Sequence, residues 1–598
     1  MYNEKTQTAG LKNNRNGEKN MKKTLAWILA LVLLAGMLPC AFAEGSGHTA
    51  EKREYVTYLA NTEDKLADPF PLYFLDGVDD LPYVEIDDLG ELIYFMNTEV
   101  SEDPDYSLSS SYDGDTVTFE RDSGYSVTFD FARDSITFND YNAFLHKSYD
   151  TTLIDLVSDP GIDENGDAQL FLRDKEKSFD RYGDSKVFDL AAYGIDMVRD
   201  GDKYYIPLQT ANDIFFYPAQ RIGFLFNGEA LFLAGDNQLF SYEDGDYTDL
   251  AELYYDAKPA PLSDAMAKYG YQELCMMLDN LYGLKESHDI KSFGQTFWEI
   301  GFDESLSGND AAEADRAIKQ FIEYYLDDLH STFNEFSAKG GFQEFTANTG
   351  MANLKLDESA QTYKAARTAV YGDSFPGYEE VGNTAYITFD HFVSNYYAPA
   401  FYKGKETGEM PDDTLGLIIQ AHEQITRENS PIENVVLDLS NNTGGDVDAA
   451  VFVLGWLLGE APFSVKDMST GAMSTSVYRA DVNLDRTFDE KDTVLDKNLY
   501  CLISPVSFSC GNLVPAALKS SQKVTLLGRT SGGGSCVVQP VSSAWGTVFQ
   551  ISGAQRMSFL KNGSFYDIDQ GIEPDYYIDH IKNFYDRAAL TDYINGLF

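Results

Sequence analysis

Residues 44–598 contain only four cysteines, Cys275, Cys501, Cys510 and Cys536; the fifth, Cys40, lies in an N-terminal apolar stretch. So few in so long a chain exclude a disulfide framework and leave open one bridge among the last three. Basic residues are also scarce. Against 96 Asp and Glu stand 45 Lys and Arg, a formal charge of −51 over 598 residues. A surface of that sign repels phosphate backbones and disfavours nucleic acid as a partner, while it suits calcium. The chain has only seven histidines, so imidazole chemistry must come from a short roster. No glycine-rich turn is followed by Lys-Ser or Lys-Thr, which excludes a phosphate-cradling loop of that type.

One hydrophobic segment of membrane type is present. Met21-Lys-Lys precedes TLAWILALVLLAGMLPCAFA, and Ala41-Phe-Ala43 offers small residues before Glu44. This pattern predicts a secretory signal over 21–43, behind a polar extension 1–20, and a secreted or cell-surface protein. An uncleaved signal would be the one route to a membrane.

The length predicts several domains. Residues 44–250 alternate apolar and polar positions in TVTFERD, YSVTFDF and RIGFLFNGEALFLA, which predicts a β-rich accessory domain. LPYVEIDDLGELIYFM and DKYYIPLQTANDIFFY share a strand-then-helix cadence that suggests an internal duplication. Residues 262–340 carry apolar spacing of i, i+3/i+4 behind Ser, Asp and Asn caps and are read as a helical subdomain. From 380 to 598 strands and helices alternate, and the strands are almost continuously apolar. That predicts an α/β domain with a mainly parallel sheet and its site at the carboxyl ends of the strands.

Three turns at such ends carry chemistry. Ser507-Phe-Ser509-Cys510-Gly511-Asn512 lies between an apolar strand and a helix, where unpaired N–H groups favour an oxyanion. The plainer role for those serines is helix capping. Asp438-Leu-Ser-Asn-Asn-Thr-Gly444-Gly445 can turn backbone N–H groups toward a ligand. Gly532, Gly533 and Gly534, after the strand KVTLL, form a turn suited to lining a substrate cleft.

With Gly571-Ile-Glu-Pro-Asp575, the order of these turns resembles the tail-specific, or C-terminal-processing, serine peptidases, which include the tricorn core protease. The family pattern is Asp-Leu-Arg-x-Asn-x-Gly-Gly, Ser-x-Ser, Gly-Glu-x-Thr-x-Gly and Gly-Ile/Val-x-Pro-Asp. Here it reads DLSNNTGG, SFSCGN, GRTSGGG and GIEPD. The resemblance implies a ClpP/crotonase-like catalytic domain and hydrolysis of protein or peptide substrates, with no cofactor required. It makes Ser509 the nucleophile and places the oxyanion against the amides of Gly444, Gly445 and Cys510. In one branch a lysine takes the serine's proton, at the place that Gly534 occupies here. In the tricorn-like branch a histidine does so from an Asp-x-His-Ser/Thr motif, which Asp328-Leu-His330-Ser matches. An imidazole with a pKa near about 6.5 can accept the hydroxyl proton and return it to the leaving amine. His391 is the second candidate. The acid that orients the imidazole falls to Asp567 or Asp569.

The chain departs from the pattern at Ser440, in place of arginine, and at Arg529, in place of glutamate. The segment 340–380 is too short for the PDZ domain many members carry. The family also includes retinoid-binding relatives, so a non-catalytic binding protein on the same scaffold is the main alternative. A Cys510 nucleophile is another. Separately, Asp481, Asn483, Asp485, Thr487, Asp489 and Asp492 stand at positions 1, 3, 5, 7, 9 and 12 of a calcium-loop spacing, with Arg486 where glycine is usual. That loop is read as a candidate structural calcium site.

Overall fold

The computed structural model describes residues 47–59, 64–66, 68–100, 105–121, 124–146, 171–173, 179–235, 242–243, 246–247, 249–394 and 412–597. The predicted signal segment and the extension before it lie outside them. Among the described residues no helix is long and apolar enough to cross a membrane. The described residues fall into two compact units, those within 1–150, 183–350 and 538–554 and those within 151–182, 351–537 and 555–598.

In the first unit an antiparallel sheet runs Ala50–Tyr55, Phe70–Leu75, Pro82–Glu85, Lys203–Pro207, Val198–Asp200. The two copies of the strand-then-helix cadence meet at its centre, where Ile206 lies opposite Val84. Each strand leads straight into a helix, Ile86–Phe95 and Leu208–Ala211, and each helix widens into a π turn. A second antiparallel sheet holds Leu108–Asp113, Thr116–Arg121, Ser126–Asp130, Ser135–Phe138 and Lys186–Asp189.

The helices of 262–340 have the caps their sequence suggests: Ser263 accepts from Met266 N–H, Ser292 from Gln295 N–H and Asp310 from two N–H groups. They do not stand apart as a subdomain. Buried polar contacts tie them to the β-rich part of the same unit, and these contacts leave no pattern in the local sequence. The Thr210 hydroxyl donates to Glu273 at 2.7 Å and lies 3.0 Å from the Tyr269 hydroxyl. Asp315 accepts bonds from Trp545 Nε1 at 2.9 Å, from Thr547 and from Ser337, and so holds 538–554 in the unit.

Asp213 and Glu273 are each 1% exposed and interact directly. Burial, then the Glu273 charge, pushes Asp213 well above the carboxylate range, and burial pushes Glu273 up to about 7. The folded pair therefore holds protons that the unfolded chain has released. Stability is then full below the ordinary carboxylate pKa and is lost as pH rises toward neutrality. Melting curves are expected to shift to lower temperature between about pH 5 and pH 8, and Asp213→Asn should flatten that slope.

The second unit carries the predicted sheet. In order it is Tyr378–Val381, Thr384–Thr388, Asn434–Asp438, Asn498–Ile503, Val524–Gly528 and Tyr576–Tyr577. The first pair is antiparallel and the rest are parallel. Strand residues alternate between two cores. Val435, Leu437, Cys501 and Ile503 pack with helices Thr414–Thr426, Val447–Leu458 and Cys510–Ser521. Val436, Tyr500 and Leu502 pack with Phe584, Leu590 and Ile594 at the C-terminal end and with Tyr363. Cover on both faces is why these strands read as unbroken apolar runs. A single helix, Met351–Tyr371, fills most of the interval too short for a PDZ domain.

Candidate functional site

The sequence left Ser509 with two roles, capping a helix or carrying a reactive hydroxyl. It sits at the N-cap of Cys510–Ser521, yet its side chain makes no capping bond. Its carbonyl instead accepts the N–H groups of Asn512 and Leu513, both at 2.9 Å. The backbone at Ser509 has φ 54° and ψ −123°. That region is costly for a residue with a side chain, by about 1–3 kcal/mol, and such strain gathers at functional sites. Three contacts hold it there. Ser509 N–H donates to Gly533 O at 2.9 Å, Phe508 N–H donates to Asn442 O at 3.1 Å, and Phe508 bridges to Gly533.

Ser507, by contrast, is fully buried and committed. Its hydroxyl donates to Leu439 O at 2.7 Å and accepts Ser504 N–H at 2.9 Å. Cys510 is fully buried too, and burial, with Asp446 and Asp448, pushes its thiol up to about 12. At neutral pH it stays protonated and is a poor nucleophile. None of the four described cysteines is in a disulfide.

The paired glycines lie directly against the serine. A Cβ on Gly444 would stand 2.7 Å from Ser509 Cβ and 3.2 Å from Cys510 N, so any side chain there would cover the hydroxyl. The two glycines differ. Gly444 N–H donates to Asn442 Oδ1 at 2.9 Å, whereas Gly445 N–H and Cys510 N–H make no hydrogen bond among the described residues. Two free donors beside a half-buried hydroxyl are what a developing oxyanion needs. Asn442, with Nδ2 donating to Phe389 O at 3.1 Å, fixes that division.

The glycine turn closes the other side. Gly534 has φ 82°, and a Cβ on it would stand 2.4 Å from the Phe508 ring. No lysine fits at that position. Lys519 is turned to Glu573 O at 2.6 Å and Lys523 to Leu458 O at 3.2 Å, so neither is aimed at Ser509. Gly533 lies against Asp569 O, and Gly534 N–H donates to the same carbonyl at 3.0 Å. Gly532 N–H donates to Ser507 O at 2.8 Å.

Of the two acids, Asp567 pairs with Arg556 and also accepts Asp569 N–H at 3.0 Å. Asp569 Oδ1 accepts both the N–H and the hydroxyl of Ser535, at 3.0 and 3.2 Å. Asn512 joins the motifs: its Nδ2 donates to Ile568 O at 2.9 Å and its Oδ1 accepts the Ser531 hydroxyl at 2.6 Å. Nothing in the local pattern marked Asn512 or Asn442 beyond their presence in the motifs.

Asp438 shows what the departure at Ser440 means. With no arginine two residues on, its Oδ2 is met by Arg587 Nη2 at 2.7 Å, from the C-terminal helix, and its Oδ1 accepts Ser440 N–H at 3.0 Å. Both ions are buried, and Arg587 also reaches Glu379 and Thr388. Removing one partner strands a buried charge. Arg587→Met is expected to cost about 3–5 kcal/mol in urea unfolding, and less when Asp438→Leu is added. Arg529, the other departure, donates to the carbonyls of Ile578 and Asp579.

His391 belongs to the same unit as Ser509. It is exposed, and its Nδ1 lies 3.1 Å from the Thr443 hydroxyl, one residue before Gly444. Arg367 grips the neighbouring Asp390 through two bonds, and Asp390 O accepts Thr443 N–H at 3.1 Å. His422 is buried, accepts Trp456 Nε1–H at 3.2 Å, and is depressed by burial.

His330 lies in the first unit, between the π turn Phe321–Leu326 and the strand Thr332–Glu335. The motif's aspartate builds its perch. Asp328 is 6% exposed and accepts bonds from His330 N–H, Ser331 N–H, the Ser331 and Ser552 hydroxyls and the Tyr282 hydroxyl. The His330 carbonyl accepts Gln550 Nε2–H at 2.8 Å.

Residues 383–578 match peptidase family S41. A curated protein of Chlamydia pneumoniae is 29% identical over 102 residues, 17% of this chain and 16% of its own length. The chain therefore spans only a small part of that relative. Among solved structures, a lipoprotein from Streptococcus agalactiae is similar at 15% identity over 57% of this chain and 96% of its own, with a TM-score of 0.34. Mature CPAF complexed with lactacystin is similar at 12% identity over 55% of this chain and 97% of its own, also at 0.34.

Proposed function

We propose that this chain, whose residues 383–578 match peptidase family S41, is an exported serine endopeptidase acting on protein or peptide substrates. The observation that carries the reading is Ser509: its hydroxyl does not cap the helix, and its strained backbone stands beside two unused N–H groups. The Ser509 oxygen attacks the peptide carbonyl, and the carbonyl oxygen, now negative, takes the Gly445 and Cys510 amides. His330 receives the hydroxyl proton and passes it to the leaving amine, so the acyl group remains on Ser509. Water, deprotonated by the same imidazole, then releases the acid. Asp567 or Asp569 orients the ring, and the knitting of Asp569 to the glycine turn favours Asp569.

His391 supports a second reading of the base, because its ring is bonded to the residue preceding Gly444. A fluorophosphonate probe tests the nucleophile and separates an enzyme from a binding protein on the same scaffold. It should label the wild type and not Ser509→Ala. Equal labelling of both, or none of either, would overturn the assignment, and iodoacetamide-sensitive activity surviving in Ser509→Ala would transfer it to Cys510. Export rests on the sequence of 21–43, and a mature chain beginning near Glu44 would support it.

A further inference from the structure

The acidic loop 481–492 plays no part in the chemistry above, yet it holds an unsatisfied group. Asp481 is 2% exposed, and its Oδ1 is buried with no hydrogen-bond partner. Its other oxygen accepts Arg486 N–H at 3.0 Å, five residues along, which turns the carboxylate over the loop. A buried carboxylate oxygen without a partner is unfavourable unless a donor or a cation meets it.

The remaining positions follow the same plan. Asn483 Oδ1 accepts Asp485 N–H at 2.8 Å and Asp485 Oδ1 accepts Thr487 N–H at 2.9 Å, so each side chain folds back over the loop. Arg486, standing where such loops usually have glycine, has φ 68° and makes the left-handed turn regardless. Asp489 caps the short helix Glu490–Asp492, and Asp492 returns a bond to Asp489 N–H. The loop leads out of the strand Met473–Ala480 and into Asn498–Ile503, the strand that delivers Ser509.

We propose that this loop is a structural calcium site, with Asp481, Asn483, Asp485, Asp489 and Asp492 giving side-chain oxygens and Thr487 its carbonyl. Calcium takes six to eight oxygens at about 2.3–2.6 Å and tolerates irregular geometry, whereas magnesium demands a near-ideal octahedron. In the present conformation no three described His, Cys, Asp or Glu side chains stand close enough to hold a metal ion. Binding therefore draws the carboxylates inward over the Asp481 oxygen.

The test uses the mature full chain, stripped with chelator and titrated with calcium alone by calorimetry and by thermal melting. Calcium should bind in a single class of site and raise the melting temperature by several degrees, more than magnesium at equal concentration. Asp481→Asn, which keeps an acceptor for Arg486 N–H, and the more exposed Asp485→Ala should each weaken binding at least tenfold. The idea fails if calcium gives no shift, if magnesium matches it, or if both variants bind as the wild type does. Because the readouts are binding and melting, a peptidase-inactive chain would leave this result intact.

Discussion

Ser509→Ala is expected to lower kcat/KM on a peptide substrate by about 10³- to 10⁶-fold, the range for losing a nucleophile that acts as one unit with its base. Ser509→Gly should be equally inactive but more stable. Glycine occupies φ 54° and ψ −123° without penalty, so relief of about 1–3 kcal/mol should appear as a higher unfolding midpoint. An inactive, stabilised glycine variant beside an inactive, unshifted alanine variant would tie the strain to the reacting group. If Ser509→Gly is destabilised, the backbone at this position is not strained as described. If Ser509→Ala keeps wild-type turnover, the proposed chemistry is wrong at its first step.

His330→Ala is the second large effect. Loss of a general base of this kind costs about 10³- to 10⁶-fold in kcat and should remove the acid limb of the pH–rate profile. Substrate binding, read through KM, should move far less. His391→Ala provides the contrast, since that ring is bonded to Thr443 beside the oxyanion turn. If the large loss follows His391 and spares His330, the base belongs to the same unit as the serine, and the Asp-x-His-Ser motif is structural. Asp328→Asn should act through His330. Asp328 accepts the His330 N–H and four other donors, so the variant should weaken the first unit and lower kcat together.

Much of the second unit was legible in the sequence. Unbroken apolar strands alternating with amphipathic helices can be satisfied only by a sheet covered on both faces, and the parallel order of Thr384–Thr388, Asn434–Asp438, Asn498–Ile503 and Val524–Gly528 follows. The helix caps at Ser263, Ser292 and Asp310 were equally plain, because a cap is decided by residues three apart. The segment 262–340 behaved differently. Its helices were readable but its place was not, since Asp315 and Glu273 take partners from distant parts of the chain.

By itself the sequence determined the order of the motifs, the absence of any lysine from the glycine turn, and the spacing of the acidic loop. It could not decide whether the Ser509 side chain caps the helix, which glycine keeps a free N–H, or which cation faces Asp438. The first was settled by Gly533 and Asn442, 24 and 67 residues from Ser509, the second by Asn442 once the turn is folded, and the third by Arg587, 149 residues from Asp438. A residue's type and its near neighbours fix local preference. Only packing of remote segments fixes which donors remain unsatisfied and which backbone is held in strain, and reactivity depends on both.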